Sequence, residues 1–218
     1  NAHTKDSYIN QAIKISLQTI EKEFESYIQK KESITYNKEN KKFDIKEHYY
    51  FYALELYSRA ISNDAKHDFS KLLLELIKKE GLELLTWSKK AIELQNRVNF
   101  INENMNNDFP IFTNDVLLET LELWLEPYLQ NITIVKELEA LDIYTILLGI
   151  IPWEKQQLLE TLAPNSIKVP SGSNIKIDYS NPKNPILAVK IQEMFGLSVT
   201  PKILNNTIAL QIHLLSPG

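Results

Sequence analysis

The chain has 218 residues, of which 44% are hydrophobic and 24% charged, with five glycines, no cysteine and a formal net charge of −4. This balance describes a globular protein able to bury a sizeable core, and it excludes a disordered chain, a disulfide framework and a thiolate metal site. Residues 1–80 carry 14 basic and 13 acidic side chains, 81–164 carry 5 and 13, and 165–218 carry 5 and 2, so a polyanion would be repelled by the middle and left to the flanks.

The opening stretch, "NAHTKDSYIN", lacks the regions of a signal peptide, and both abrupt ends predict a piece excised from a longer polypeptide. Residues 1–66 read as strand-rich. "AIKISLQTI" and "ESITYNKENKKFDIKEHYYFYALELYSRAI" carry β-branched and aromatic residues around the turn "NKENKK", which predicts a hairpin. Phe43, Ile45, Tyr49, Phe51, Ala53 and Tyr57 follow a period near two, with Lys46, His48, Tyr50 and Tyr52 opposite; "LELYSRAI" is compatible with strand or helix. An OB-like small barrel is one form open to this part.

Helices are predicted over 67–164. "DFSKLLLELIKK", Asp68 to Lys79, sets Leu72, Leu73, Leu76 and Ile77 on one stripe, with Gly81 as a left-handed cap. Thr86 is the predicted N-cap of the helix in "TWSKKAIELQNRVNFINEN", and "MNNDFPIF" supplies a Pro-containing turn. "TNDVLLETLELWLEPYL" reads as one helix opened by Thr113 or Asn114 and disturbed by Pro127. Thr133 and Asp142 read as N-caps of two short helices, and Pro152 opens "WEKQQLLETL". The apolar run Ile143–Trp153 has 11 residues, whereas a bilayer span needs about 20, so it reads as a core helix. After Pro164 the period changes. "SIKV" and "NIKIDY" read as strands, "ILAVKIQEMF" as a helix capped by Gly196, and "KILNNTIALQIHLL" as strand, Asn-Asn turn, strand.

Little in the chain can do chemistry. Gly81, Gly149, Gly172, Gly196 and Gly218 do not have the spacing of a phosphate-binding loop. His3, His48, His67 and His213 are scattered, without a second ligand at metal-site spacing. Glu119 with Glu122, and Glu137 with Glu139, read as solvated helix surface, and Trp87, Trp124 and Trp153 sit among leucines as packing residues. No nucleophile, base and oxyanion donor can be assembled, which argues against an independent enzyme.

Two stretches could meet an anion. Lys41, Lys42, Lys46, His48, Tyr49, Tyr50, Tyr52 and Arg59 interleave cations with aromatic rings as a stacking and phosphate-contacting face would, or as the wet side of any amphipathic strand would. "PSGS" could present backbone N–H groups with the Ser171 and Ser173 hydroxyls, or be a plain turn whose serines satisfy their own backbone.

"LAPNSIKVPSGSNIKIDYSNPKNPILAVKIQEMFGLSVTPKILNNTIALQIHLLSPG", Leu162 to Gly218, closely resembles the C-terminal region of bacterial HrpB-type ATP-dependent helicases, DExH-box proteins of superfamily 2. The likeness continues through "GLELLTWSKKAIELQNRVNFI", "LLETLELWLEPYL" and "IPWEKQQLLETLAP", covering roughly 72–218; the first 70 residues match in pattern only. In that family two N-terminal RecA-like domains bind and hydrolyse ATP. The resemblance therefore implies a C-terminal fragment without a cofactor of its own, with ATP and Mg²⁺ serving an absent motor. It also implies two partners, the motor domains of the same polypeptide and single-stranded RNA or DNA. Where many relatives read "PSGSR" this chain has Asn174, leaving Lys176 as the nearest cation.

The expected architecture is thus an α+β accessory module in three parts: 1–66 strand-rich and OB-like, 67–164 helical, and 165–218 a C-terminal α/β unit with hairpins and one helix, truncated at its end. A cytoplasmic protein that guides or clamps nucleic acid, away from any membrane, is expected, with Lys46, Tyr50, Arg59, Ser171, Ser173, Lys176 and Lys190 as its contacts. The competing expectation is a structural or protein-interaction module docking on the motor or on a partner such as an RNA-processing protein, which the acidic middle favours.

Overall fold

A computed structural model describes residues 12–62, 69–105 and 109–216. The readings at His3, His67, Asp68 and the 106–108 part of the Pro-containing turn lie outside the described residues. The chain divides into two compact units, Asn1–Asp64 and Ala65–Gly218.

In the first unit, helix α1 (Leu17–Glu23) stands where a strand was predicted. Ser16 accounts for the difference: its Oγ accepts the Thr19 N–H at 3.1 Å and so nucleates a helix. The β-branched alternation before it has no buried face to serve, since Ile13 is 93% exposed and the helix buries only Ile20. Strands β1 (Ile28–Asn37), β2 (Lys42–Phe51) and β3 (Leu54–Ile61) then form an antiparallel meander in the order β1-β2-β3. The predicted hairpin is present, and "LELYSRAI" is a strand. A register shift between Tyr49 and Tyr50 marks a bulge, and the β2–β3 turn holds Tyr52 at φ 52°. Three strands are described where an OB barrel has five.

The second unit opens with α2 (Ser70–Glu80), which buries Leu73, Leu74, Leu76 and Ile77. Gly81 ends it at φ 106°, ψ 172°, a conformation open essentially to glycine, and donates its N–H to Ile77 O. Helix α3 (Lys89–Asn104) is capped by Ser88 rather than Thr86, with Ser88 Oγ accepting the Ala91 N–H at 3.2 Å. Trp87 donates its ring N–H to Leu82 O, which ties the residues before Ser88 to the preceding turn.

The single helix predicted after Thr113 is broken into α4 (Asn114–Glu119), α5 (Leu121–Trp124) and a 3₁₀ turn, Glu126–Tyr128. Its side chains compete for the backbone carbonyls. Thr120 Oγ1 donates to Val116 O at 2.6 Å and Trp124 Nε1 to Leu117 O at 2.8 Å, and Pro127 has no N–H to give. Next comes a 3₁₀ stretch, Val135–Ala140, whose entry is held by the Glu137 carboxylate accepting from the Thr133 and Ile134 N–H groups, in place of a Thr133 cap. Helix α6 (Ile143–Ile150) is capped by Asp142 as predicted. Helix α7 (Trp153–Leu162) begins after Pro152. Trp124 is buried as expected of a packing residue, but Trp153, at the exposed start of α7, is 67% exposed.

Strands β4 (Ser166–Lys168) and β5 (Asn174–Lys176) form the predicted hairpin. The expected helix in "ILAVKIQEMF" is instead β6 (Ile186–Lys190) followed by a 3₁₀ turn, Ile191–Met194. Leu187 and Val189 are buried while Ala188 and Lys190 are exposed, a period of two that outweighs helix propensity. Strands β7 (Lys202–Ile203) and β8 (Ile208–Ala209) flank Leu204, Asn205 and Asn206, all at positive φ, and β9 (Gln211–Leu215) runs parallel to β6. Among the described residues no helix is long and apolar enough to cross a membrane.

Candidate nucleic-acid interface

The seven predicted contact residues fall into separate places. Within the first unit, Lys46 and Tyr50 share one face of the sheet. The antiparallel register sets Lys31 opposite His48 and Ser33 opposite Lys46 on that face, and the Lys31 ammonium lies 5.4 Å from the Tyr50 ring centroid. His48 is fixed beside them, with Nε2 at 2.8 Å from Ser33 Oγ and Nδ1 at 2.8 Å from Glu55 Oε1, and its ring stacks on Tyr50 at 6.2 Å. The result is a solvent-facing surface of cations and flat rings with two acids, Asp44, which accepts from Asn37 Nδ2 at 3.1 Å, and Glu55.

Arg59 belongs to the other face. It pairs with Glu47 in the β2–β3 register, and its Nε donates to Glu47 Oε2 at 2.7 Å. Lys30 forms a second ion pair with Glu47, and Tyr49 donates its hydroxyl to the same carboxylate at 2.8 Å. Lys30, then Arg59, hold the Glu47 carboxyl down to about 2. Arg59 is therefore committed to a carboxylate that is only 5% exposed.

In the second unit the "PSGS" turn faces an acid. Ser171 donates its hydroxyl to the Glu193 carboxylate and its N–H to Glu193 O at 3.3 Å, and Gly172, at φ 96°, donates back to Val169 O. The Ser171 hydroxyl, then that of Ser173, keep the Glu193 carboxyl below its ordinary range, with a further contribution from Lys190 nearby. Lys176 lies apart from this turn, with Nζ 2.5 Å from Glu93 Oε1 on α3.

Sequence reasoning missed Arg97. Its side chain is buried on α3 and reaches across to α7, Nε donating to Ala163 O at 2.6 Å and one terminal nitrogen to Leu159 O and to Glu160 Oε1 at 3.3 and 2.7 Å. A cation on the last carbonyls of α7 opposes the negative end of that helix. The hint was there in one arginine among apolar residues in "QNRVNFI". Tyr179 packs close by, its ring 5.0 Å from Phe100 and its hydroxyl donating to Pro164 O, and burial pushes its titration up.

Residues 124–218 match the family model described as ATP-dependent helicase C-terminal. An Escherichia coli (strain K12) protein named ATP-dependent RNA helicase HrpB is 33% identical over 159 residues, 72% of this chain and 20% of that protein. A crystal structure described as E. coli DExH-box NTPase HrpB is similar with a TM-score of 0.65 at 27% identity, covering 94% of this chain and 26% of that one. Another, of Escherichia coli DEAH/RHA helicase HrpB, gives 0.67 at 28% identity, covering 87% and 24%. The chain thus spans between 20% and 26% of the length of these relatives.

Proposed function

Because the chain is an HrpB-type helicase C-terminal region, we propose that it is an accessory module that guides a nucleic-acid strand for an ATP-driven motor encoded elsewhere in the same polypeptide. The observation that carries this reading is the shared face of Lys31, Lys46, His48 and Tyr50, where cations and stacked rings stand on one side of an exposed sheet. Such a surface holds phosphate by charge and bases by stacking, without regard to sequence. ATP and Mg²⁺ belong, on this reading, to the motor, and RNA is the first strand to test because the similar E. coli protein is named an RNA helicase.

The test is fluorescence anisotropy of a labelled single-stranded RNA titrated with the chain across a salt series, with DNA of the same sequence in parallel. Lys46→Ala with Tyr50→Ala weakens binding, and losing the lysine flattens the salt slope by about 1. Unchanged affinity at low salt would refute the reading. A docking module is the second reading, favoured by the exposed Trp153, Leu123, Phe195 and Val199. It predicts association with the motor domains that persists as salt rises, since apolar contact is not screened.

A further inference from the structure

A groove of about 560 Å³ lies between α3 and the segment that begins at β5. A hollow of about 220 Å³, lined by Lys90 and Tyr144 among others, adjoins it. Lys89, Ile92, Glu93, Asn96 and Arg97 recur at the spacing of a single helix face and make one wall. On the other wall Lys176, Asp178 and Ser180 alternate with the buried Ile177 and Tyr179. The walls are tied by the Lys176–Glu93 pair, by Lys183 with Glu103 at 3.5 Å, and by Asn104 Nδ2 donating to Pro182 O at 2.8 Å.

Arg97 commits Nε and one terminal nitrogen to α7 as scaffold, which leaves the other polar side chains of the groove as the more available ligand-receiving groups. The side-chain amides of Asn96, half-buried, and Asn165, exposed at the rim, line the groove and make no hydrogen bond to the described residues. Two amides with free donors and acceptors, that of Asn96 partly desolvated, beside the half-exposed Ile92, match the polar edge of a flat heterocycle. Lys176 and Glu93 line both hollows, so their ion pair stands between them. A partly exposed pair of this kind exchanges readily for a better anion.

We propose that this groove binds one nucleotide unit of a single strand, with the base edge on Asn96 and Asn165 and the phosphate drawing Lys176 away from Glu93. The proposal rests on the nucleic-acid reading above and adds a site to it. A nucleotide supplies both the anion and the flat hydrogen-bonding edge, whereas free phosphate leaves the two amides unused. An added peptide strand would need a free backbone edge. Here β4 takes one edge of β5 and Asp178 exchanges both backbone groups with Ile186 at 2.9 Å, so a peptide would have at most the three residues of β5 to pair with. A paired duplex has its Watson–Crick edges occupied and its bases stacked, so the groove selects single strands.

Anisotropy with a short fluorescein-labelled single-stranded RNA at low salt tests the site in the 218-residue chain. Asn96→Ala with Asn165→Ala weakens binding about tenfold, two hydrogen bonds being lost. Glu93→Gln frees Lys176 and tightens binding several-fold, a gain that misfolding cannot produce. Affinity for a duplex of the same sequence stays unmoved by the asparagine pair. If the groove variants all bind as the parent does while Lys46→Ala weakens binding, the groove is refuted and the guiding role survives. Weaker binding by Glu93→Gln refutes the exchange at Lys176, and absence of binding by the parent chain overturns both ideas.

Discussion

Among the described residues the first unit buries three apolar side chains, Ile20, Phe43 and Ile45, and sets the carboxylate of Glu47 beside them; in the second, α3 alone buries Ala91, Leu94, Val98, Phe100 and Ile101. The contrast is between a sheet whose register is fixed by charge and ring contacts and a helical body fixed by apolar packing. Tyr49 and Tyr57 stack at 4.6 Å and the Arg59 guanidinium lies 5.4 Å from the Tyr49 ring centroid, so the first unit covers its sheet with amphipathic groups rather than a deep core. Burial of apolar area is insensitive to pH, whereas ion pairing is not. The two units should therefore respond to different perturbations.

The largest expected effect is in the second unit. Phe100 is fully buried against Tyr179, and Phe100→Ala removes its contacts and leaves a cavity, costing about 3–5 kcal/mol. All three tryptophans, Trp87, Trp124 and Trp153, lie in this unit, so urea denaturation followed by tryptophan fluorescence reads it selectively. The midpoint should fall sharply while the near-UV tyrosine signal, seven of whose ten rings lie in the first unit, keeps a transition at its original midpoint. Movement of both signals together would break the comparison, because it would mean one cooperative transition.

Acid should act on the first unit. The Glu47 carboxyl titrates at about 2 in the folded chain against an ordinary 4.5. A depressed carboxyl gives stability that is fully present above the unfolded value and drains as pH falls through the window from 4.5 toward 2. Tyrosine near-UV circular dichroism should register this loss, and Glu47→Gln should abolish its pH dependence while lowering stability at neutral pH. Glu122, Asp142 and Glu193 in the second unit are also held low, by Lys78, Thr145 and Ser171 respectively. Glu47 is buried, whereas Glu122 and Asp142 are exposed and Glu193 is half-buried, so water screens their interactions more and the tryptophan signal should change less over the same window.

The same contrast governs how far the structure could be read from the sequence. Period-two alternation from Phe43 to Phe51 gave the strand and its two faces, and Asp142 declared the start of α6, because each is a local pattern. The α1 segment misled because Ser16 capping overrode β-branched alternation, and β6 misled because a Gly196 at the right distance looked like a helix stop. Glu47 could not be recognised as buried without knowing that Lys30 and Arg59 arrive on neighbouring strands. Lys176 reads from the sequence as the cation nearest the "PSGS" turn, but its pairing with Glu93 is a fact of tertiary structure. So is the meeting of Asn96 with Asn165 across the groove.

The smallest effect sharpens the comparison at the level of the backbone. Lys41 sits at φ 55° in the exposed turn between β1 and β2, and Asn205 at φ 54° between β7 and β8. A left-handed conformation costs an ordinary side chain roughly 1–2 kcal/mol, whereas asparagine tolerates it through local hydrogen bonding. Glycine relieves that strain but loses about 0.5–1 kcal/mol to the greater freedom of the unfolded chain. Lys41→Gly should therefore raise the tyrosine-detected midpoint by less than about 1 kcal/mol, and Asn205→Gly should leave the tryptophan-detected midpoint level or slightly lower. A drop on Lys41→Gly would show that its ammonium contributes more to the hairpin than the strain of its backbone takes away, and charge would then outrank conformation even at the tip of the sheet.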